Sequence, residues 1–465
     1  MKPSLPELFQ TRHFLLDPSC YLVGGAKRSA LYNLKSGNVF SIDETAAKVL
    51  ERCENGLSLE AVLSEVDGVQ PDELMAYLKQ LAVAGMGNFY ERPLPFIEKL
   101  QPNLTLEQKV RRRVSQPVSY AFLELTPECN YACTFCTPTE TAARRRTGCM
   151  RWVMDTAIEP MLRDDEWLTV IDDLAWIGCP ALHFIGGEPL LREELLIKLI
   201  DRARGQGIAK IYLSTNTTLL GDEQVDFFAR QGVHLFIQLV SHRPAVHDRL
   251  TGCPGSYRLL TRNLGKLKRA GCPYSFTLLL TEDTHTEQTG ALEYFRAFDP
   301  YQVSVDWLRP GAPRDAAPSG MAPSLFRCRP QFPPLTAGPF FQRRDSHACW
   351  MGKLAITANG SVLPCIIARK ELIGHVRHKS VKHLYRDKDF DFYWHFNIDK
   401  VEGCNGCEFR YACFDCRPLA RSVCGRLTAK DPYCTYAPLE GRWLAPTTLK
   451  QVSPAPDDGN TQDTY

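Results

Sequence analysis

No run of about 18 consecutive apolar residues occurs in this 465-residue chain, so no segment has the composition of a membrane-spanning helix. The opening MKPSLPELFQTRHF lacks the apolar stretch of a signal peptide, and the expectation is a soluble, cytoplasmic protein with no membrane partner. An excess of one charge is missing too. The 55 Lys and Arg stand against 53 Asp and Glu, which withholds the basic field that nucleic-acid binding requires. No solenoid-type repeat is present. What is abundant is cysteine, 18 in all. Reducing compartments make structural disulfides rare, so close cysteine spacings read as metal ligands. The alternative, a secreted disulfide scaffold, is normally short and follows a signal peptide.

The pattern along the chain divides it into parts. Residues 15–95 run as short strand-like stretches (CYLVG, SALYNL, NVFSI) and then three helical ones starting near Asp43, Ser58 and Gln70. Glu60, Asp72 and Glu73 fall in first turns, where acidic groups suit the helix dipole and the free amides. Strands followed by helices predict a small winged-helix-like domain. Residues 98–117 turn polar and basic and read as a connecting segment with a solvated charge run. From 118 to 310, apolar strands at 120–125, 181–185, 208–214, 235–240, 275–280 and 302–308 alternate with helical stretches. That alternation predicts an α/β fold with a parallel sheet, a partial (β/α)6 TIM-type barrel. Residues 309–345 are rich in proline, glycine and alanine and read as a linker with little structure. A cysteine-rich unit follows at 347–436, and the tail from about 450 has the composition of a disordered segment.

Directly after the first barrel strand comes ELTPECNYACTFC, a CxxxCxxC loop of Cys129, Cys133 and Cys136. Barrels carry their active sites at the C-terminal ends of their strands. Three thiolates can hold three irons of a [4Fe–4S] cluster and leave the fourth open. Zinc, the rival, needs a fourth ligand from a paired knuckle, and only the isolated Cys149 follows within forty residues. The loop and its context resemble the signature of the radical S-adenosylmethionine (SAM) superfamily. That resemblance implies a cluster whose unique iron chelates SAM, and reductive cleavage to a 5′-deoxyadenosyl radical that abstracts hydrogen. It also implies roles at the other strand ends. Gly186-Gly187-Glu188-Pro189 resembles the family's GGEP motif, which receives the SAM amino group. Ser214 and Asn216 occupy the end of the third strand, and Ser241 with Arg243 that of the fourth, where similar enzymes contact the SAM ribose or carboxylate. Phe135 resembles the residue that packs near the adenine. An ordinary turn, polar strand ends and a core aromatic are the alternative readings of these residues. The stretch from Val246 to Gly271 resembles a segment of the peptide- and protein-modifying branch.

Toward the C-terminus, Cys349, Gly360 and Cys365 form a Cx10Gx4C unit, and CNGCEFRYACFDC supplies Cys404, Cys407, Cys413 and Cys416, with Cys434 beyond. This resembles the SPASM domain, which holds two auxiliary [4Fe–4S] clusters, although the family spacing Cx2Cx5Cx3C is here Cx2Cx5Cx2C. By that analogy Cys404, Cys407, Cys413 and Cys434 hold an outer cluster, and Cys349, Cys365 and Cys416 an inner one. For the inner cluster's fourth position, Cys328, Cys424 or an open iron all remain. Cys20, Cys53, Cys179, Cys253 and Cys272, with Cys149, have no ligand spacing and read as packing residues or surface thiols.

Residues 15–95 resemble the RiPP recognition element, the fold of the small peptide chaperone of pyrroloquinoline quinone synthesis. In such domains the leader of a precursor peptide adds as a strand to the sheet edge, which raises the local concentration of the segment to be modified. The helix 71–84 carries a single lysine, too little charge for a DNA reader. The resemblance implies an enzyme that modifies a ribosomally made precursor peptide, reduced by a flavodoxin or ferredoxin. A maturase of an enzyme subunit is a second reading. Its sulfatase-type form is disfavoured because Ile366, not an aspartate, follows Cys365. A third is a non-catalytic iron–sulfur regulator. No general base is assigned; Asp306 at the end of the sixth strand is a position to test.

Overall fold

The computed structural model describes residues 12–94, 98–101, 118–136, 160–308, 326–330, 332–386 and 388–445. Cys149, most of the segment 98–117, residues 309–325 and 331, and the tail from 446 lie outside these.

The N-terminal helices start where their caps require. Asp43 accepts from Ala46 N at 2.8 Å at the head of α1 (Glu44–Glu54), and Ser58 from Ala61 N at 3.3 Å at α2 (Leu59–Glu65). At α3 (Pro71–Val83), Gln70 N donates to Glu73 and Pro71 takes the first helical position, where its missing N–H costs nothing. β1 (His13–Leu16) pairs antiparallel with β5 (Gly87–Tyr90), while β2 (Cys20–Gly24), β3 (Ser29–Asn33) and β4 (Asn38–Ile42) form a separate antiparallel meander. Phe14, Leu31, Leu50, Leu59, Leu74 and Leu78 fill the core between them.

Six parallel strands follow, in chain order across one sheet: β6 (Tyr120–Thr126), β7 (Ala181–Gly186), β8 (Lys210–Thr215), β9 (His234–Leu239), β10 (Tyr274–Leu280) and β11 (Val303–Trp307). Between them run α4 (Asp164–Trp176), α5 (Glu193–Gly205), α6 (Asp222–Arg230), α7 (Pro244–Thr251), α8 (Ser256–Arg269) and α9 (Gln288–Arg296). Strand alternation sorts the side chains. Ala121, Leu123, Leu182, Phe184, Leu213, Leu235 and Leu278 belong to the main apolar core, while Tyr120, Phe122, His183, Ser214, Phe236, Thr277 and Ser304 line a cavity on the other face. One cavity lined from all six strands means that the sheet curves around it.

Two features depart from the sequence reading. The stretch 309–345 is not wholly linker: its last nine residues form α10 (Ala337–Asp345), because Phe340 and Phe341 are buried against Tyr21 and Tyr32. The cysteine-rich unit is also not separate from the barrel sheet. Its first strand, β12 (Lys353–Ile356), pairs parallel with β6, and β13 (Ser361–Leu363) and β14 (Gly374–His375) extend the sheet to nine strands. A buried ion pair locks this junction: Arg369 donates to both oxygens of Glu124 at 3.0 and 2.6 Å, and Ala358 N adds a third bond at 3.2 Å. The N-terminal meander docks on the same unit through Ala26 N to Gly406 O (2.7 Å), Tyr32 OH to Glu408 O (2.8 Å) and Ser41 Oγ to Glu408 (3.0 Å).

Candidate functional site

The CxxxCxxC loop is held from two sides. On one, the GGEP turn is stitched to it by Gly187 N to Thr126 O (2.9 Å) and Glu188 N to Glu128 O (2.8 Å). A Cβ on either glycine would strike the opposing backbone, that of Thr126 for Gly186 and the Glu128 carbonyl for Gly187, so the motif's glycines are steric requirements. On the other side, Ala132 N and Thr134 N donate to Thr251 O (3.1 Å) and Leu250 O (2.9 Å) at the end of α7. Gly252 ends that helix with φ +63°, packed on the Ala132 carbonyl. Asp248 then caps α8, accepting from Gly255 N, Ser256 Oγ and Tyr257 N at 2.6, 2.9 and 2.8 Å. The 246–271 segment singled out in the sequence is thus a clasp for the cysteine loop.

Glu188 is fully buried, and its carboxylate accepts from Leu190 N (3.1 Å), Thr215 Oγ1 (2.9 Å) and Asn216 N (2.8 Å), joining the ends of β7 and β8. Burial pushes its pKa up from 4.5 to about 7 against the pull of those three donors. A carboxylate has about four lone-pair sites, so one remains for a further donor. Asn216 reaches the loop itself: its Nδ2 donates to Asn130 Oδ1 at 2.7 Å and lies 3.9 Å from Cys129 Sγ. Phe135 packs with Val240, Leu250 and Leu279, beside Cys133 and Cys136. Ser241 is buried and accepts from Arg243 N at 3.0 Å, while the Arg243 guanidinium pairs with Glu287. Pro189 opens a short 3₁₀ turn. Asp306 is buried, and its carboxylate accepts from Trp307 N at 2.9 Å.

Below these strand ends lies the cavity, of about 450 Å3. The Tyr120 hydroxyl bonds His183 Nδ1 and His183 Nε2 bonds Ser214 Oγ, each at 2.8 Å. Burial drives the His183 pKa down to about 3, so the imidazole is neutral at pH 7. The opposite wall is made by the C-terminal unit: Cys349, Cys365, Cys416 and Lys353 line the same space. Sequence reading missed Tyr120, His183 and Lys353; the one available signal was a histidine inside the apolar strand ALHFIG.

The C-terminal cysteines gather in two sets. Cys404 has Cys413, Cys434 and Cys407 as electrostatic neighbours, and Cys365 has Cys349 and Cys416. Burial raises the thiols of Cys407 and Cys365 to about 12 and that of Cys413 to about 11. The two sets offer four and three sulfur donors respectively, and thiolate sulfur is a ligand for zinc and for iron–sulfur clusters alike. Among the described residues no three His, Cys, Asp or Glu groups close around one point as they do about a single ion. Cys20, Cys53, Cys179 and Cys272 are buried, with thiols pushed up to between about 11 and about 12, as packing residues should be.

Comparison with known proteins bears on residues 123–293, which match the model of the Radical SAM superfamily. Among curated relatives, the AdoMet-dependent heme synthase of Oleidesulfovibrio alaskensis is 25% identical over 355 residues, covering 68% of this chain and 86% of its own. The PqqA peptide cyclase of Xanthomonas axonopodis pv. citri is 24% identical over 367 residues, covering 74% of this chain and 94% of its own. Among solved structures, Streptococcus suis SuiB superposes over 91% of this chain and 100% of its own, with TM-score 0.51 and 14% identity. This chain is therefore a mixed α/β protein that carries a radical SAM domain.

Proposed function

We propose that this protein modifies a ribosomally made precursor peptide by radical SAM chemistry, with a winged-helix-like recognition domain at 15–95, a partial (β/α)6 barrel at 118–310 and a SPASM domain at 347–436. The observation that carries the reading is the single cavity that joins the six-stranded face to Cys349, Cys365 and Cys416. Cys129, Cys133 and Cys136 would hold a [4Fe–4S] cluster which, with SAM bound, supplies hydrogen-atom abstraction. Glu188 would hold the SAM amino group with its remaining acceptor site. Asn216, Ser241 and Phe135 border the same strand ends. The cavity walls exclude water and receive one side chain of the peptide. Cys349, Cys365 and Cys416 would hold an inner auxiliary cluster against that side chain, and Cys404, Cys407, Cys413 and Cys434 an outer one. Flavodoxin or ferredoxin would be the electron donor.

The leader has a site of suitable shape. A groove of about 400 Å3 runs between the end of β4 and α3, lined by Ser41, Ile42, Val49, Leu74 and Tyr77. Among the described residues β4 pairs only with β3, leaving its other edge for strand addition. The heme-synthase relatives raise a second reading, a tetrapyrrole substrate. The cavity counts against it: Lys353 and Arg417 are the cations lining it, and Arg417 is already held by Asp415, Leu427 O and Ala429 O. A polycarboxylate macrocycle would need more.

The test is anaerobic. The chain is reconstituted with iron and sulfide, then given SAM and dithionite, beside a Cys129/Cys133/Cys136→Ala variant. In parallel it is co-expressed with short reading frames adjacent to its gene, and the peptides are weighed by mass spectrometry. Roughly twelve irons per chain, 5′-deoxyadenosine only from the parent chain, and a mass change on one peptide are expected. Bound zinc without sulfide and no SAM cleavage would sink the enzyme reading.

A further inference from the structure

Cys328, left open by the sequence as an inner ligand, sits in a segment that the structure ties to the outer set. Arg327 forms a parallel bridge with Cys434; its N donates to Tyr433 O at 2.8 Å, and Thr435 N and Oγ1 donate to its carbonyl at 3.1 and 3.0 Å. Its side chain is equally fixed. Nη1 donates to Cys413 Sγ and Nη2 to Phe414 O, both at 2.8 Å. Two more cations bear on the same sulfurs. Arg343, anchored by a 2.7 Å bond to Ala412 O, acts on Cys413, and Lys430 acts on Cys434. The opposing carboxylates are Asp431, Asp415 and, beside Cys407, Glu408, and Asp415 is neutralised by its buried pair with Arg417. Around the inner set Lys353 lies 3.9 Å from Cys349 Sγ, and Arg417, which lines the same cavity, is already paired with Asp415.

We propose that Arg327 is a hydrogen-bonding cation for the outer iron–sulfur cluster and makes that cluster easier to reduce than the inner one. The inference rests on the reading above that both cysteine sets hold clusters. Reduction adds one negative charge, which a fixed cation and an N–H···S bond stabilise more in the reduced than in the oxidised state. The planar guanidinium fork suits the task, because it bonds the thiolate and the Phe414 carbonyl at once and keeps its charge at every working pH. The consequence is a downhill path for an electron from the cavity-facing set to the set farther from the cavity. Arg327 is a positioning residue in this scheme, acting on the potential and not on the substrate.

The test is a redox titration followed by electron paramagnetic resonance, on the full chain in the Cys129/Cys133/Cys136→Ala background so that only auxiliary signals remain. The parent should show two couples. Arg327→Gln, which keeps a donor but removes the charge, should lower the higher couple by at least a tenfold change in its reduction equilibrium, 59 mV for one electron, and leave the lower couple in place. Arg327→Lys should restore most of the shift. An unmoved higher couple in Arg327→Gln, with roughly eight irons retained, overturns the proposal. If Arg327→Gln fails to hold its iron, Arg343→Gln decides in the same way, since it removes charge beside Cys413 without touching the sulfur. Iron absent from the triple-alanine parent itself would overturn the auxiliary-cluster reading, and this inference with it.

Discussion

Gly187→Ala isolates the contact on which the proposed SAM site rests. The added Cβ would fall on the Glu128 carbonyl, 2.5 Å from its carbon, where carbon atoms prefer about 3.5–4.0 Å. The GGEP turn must then retreat by roughly 1–1.5 Å, the difference between those separations. That movement breaks the bonds Gly187 N to Thr126 O and Glu188 N to Glu128 O, now 2.9 and 2.8 Å. Each is worth about 1 kcal/mol net, and overpacking adds roughly 1–3 kcal/mol. The local cost is roughly 3–5 kcal/mol, which corresponds to a factor of about 10²–10⁴. Glu188 moves with the turn, and a displacement of that size at a positioning group alone costs on the order of 10²-fold in rate. The assay is 5′-deoxyadenosine formation with dithionite, scored beside iron content and SAM affinity. The variant should lose on the order of 10²-fold in turnover while the auxiliary iron stays. Gly205→Ala, which adds a Cβ into open space at the end of α5, serves as control. Turnover within threefold of the parent in Gly187→Ala would refute the steric account of the motif.

Three further outcomes follow from the same geometry. Arg369→Met leaves the fully buried Glu124 carboxylate without its partner and should cost about 3–5 kcal/mol, seen as a lower thermal midpoint, while Glu124→Gln with Arg369→Met should recover most of it. Glu188, raised by burial from 4.5 to about 7, holds its proton in the folded chain where the unfolded chain has lost it, so its stabilisation is full below 4.5 and is lost as pH rises through about 7. An ammonium at its remaining acceptor site favours the ionised form, so calorimetry should find SAM binding tightening from about pH 6 to 8 with proton release, both absent in Glu188→Gln. Tyr77→Asp in the β4–α3 groove should cut peptide modification without changing uncoupled SAM cleavage; equal loss of both would place the groove outside leader binding.

What could be read from the sequence and what could not divide along a physical line. Local signals were sufficient for α1 to α3, because Asp43, Ser58 and Gln70 act within three residues of themselves. The six parallel strands were legible for a similar reason, being short apolar runs between helical periods. The α10 helix was hidden because its driving force is non-local. AGPFFQRRD is proline-interrupted and carries little apolar surface, and it becomes helical where Tyr21 and Tyr32, some three hundred residues earlier in the chain, cover Phe340 and Phe341. The joining of β12 to β6 was hidden likewise, since register between strands so distant in sequence leaves no local mark.

The same division runs through the site. Motif residues were found because close backbone approach demands glycine and because thiolates recur at fixed spacing. The cavity was not, because its polar residues are scattered singly over six strands. His183, Ser214, Thr277 and Ser304 each sit where a half-buried strand would tolerate them, and only the curvature of the sheet brings them to face one another. Their alternation with Leu182, Phe184, Leu213 and Leu278 is a period-2 signal masked by the overall apolar character of strands buried on both faces. The cysteine and glycine motifs are thus written in spacing, and the residues that line the cavity are written in curvature.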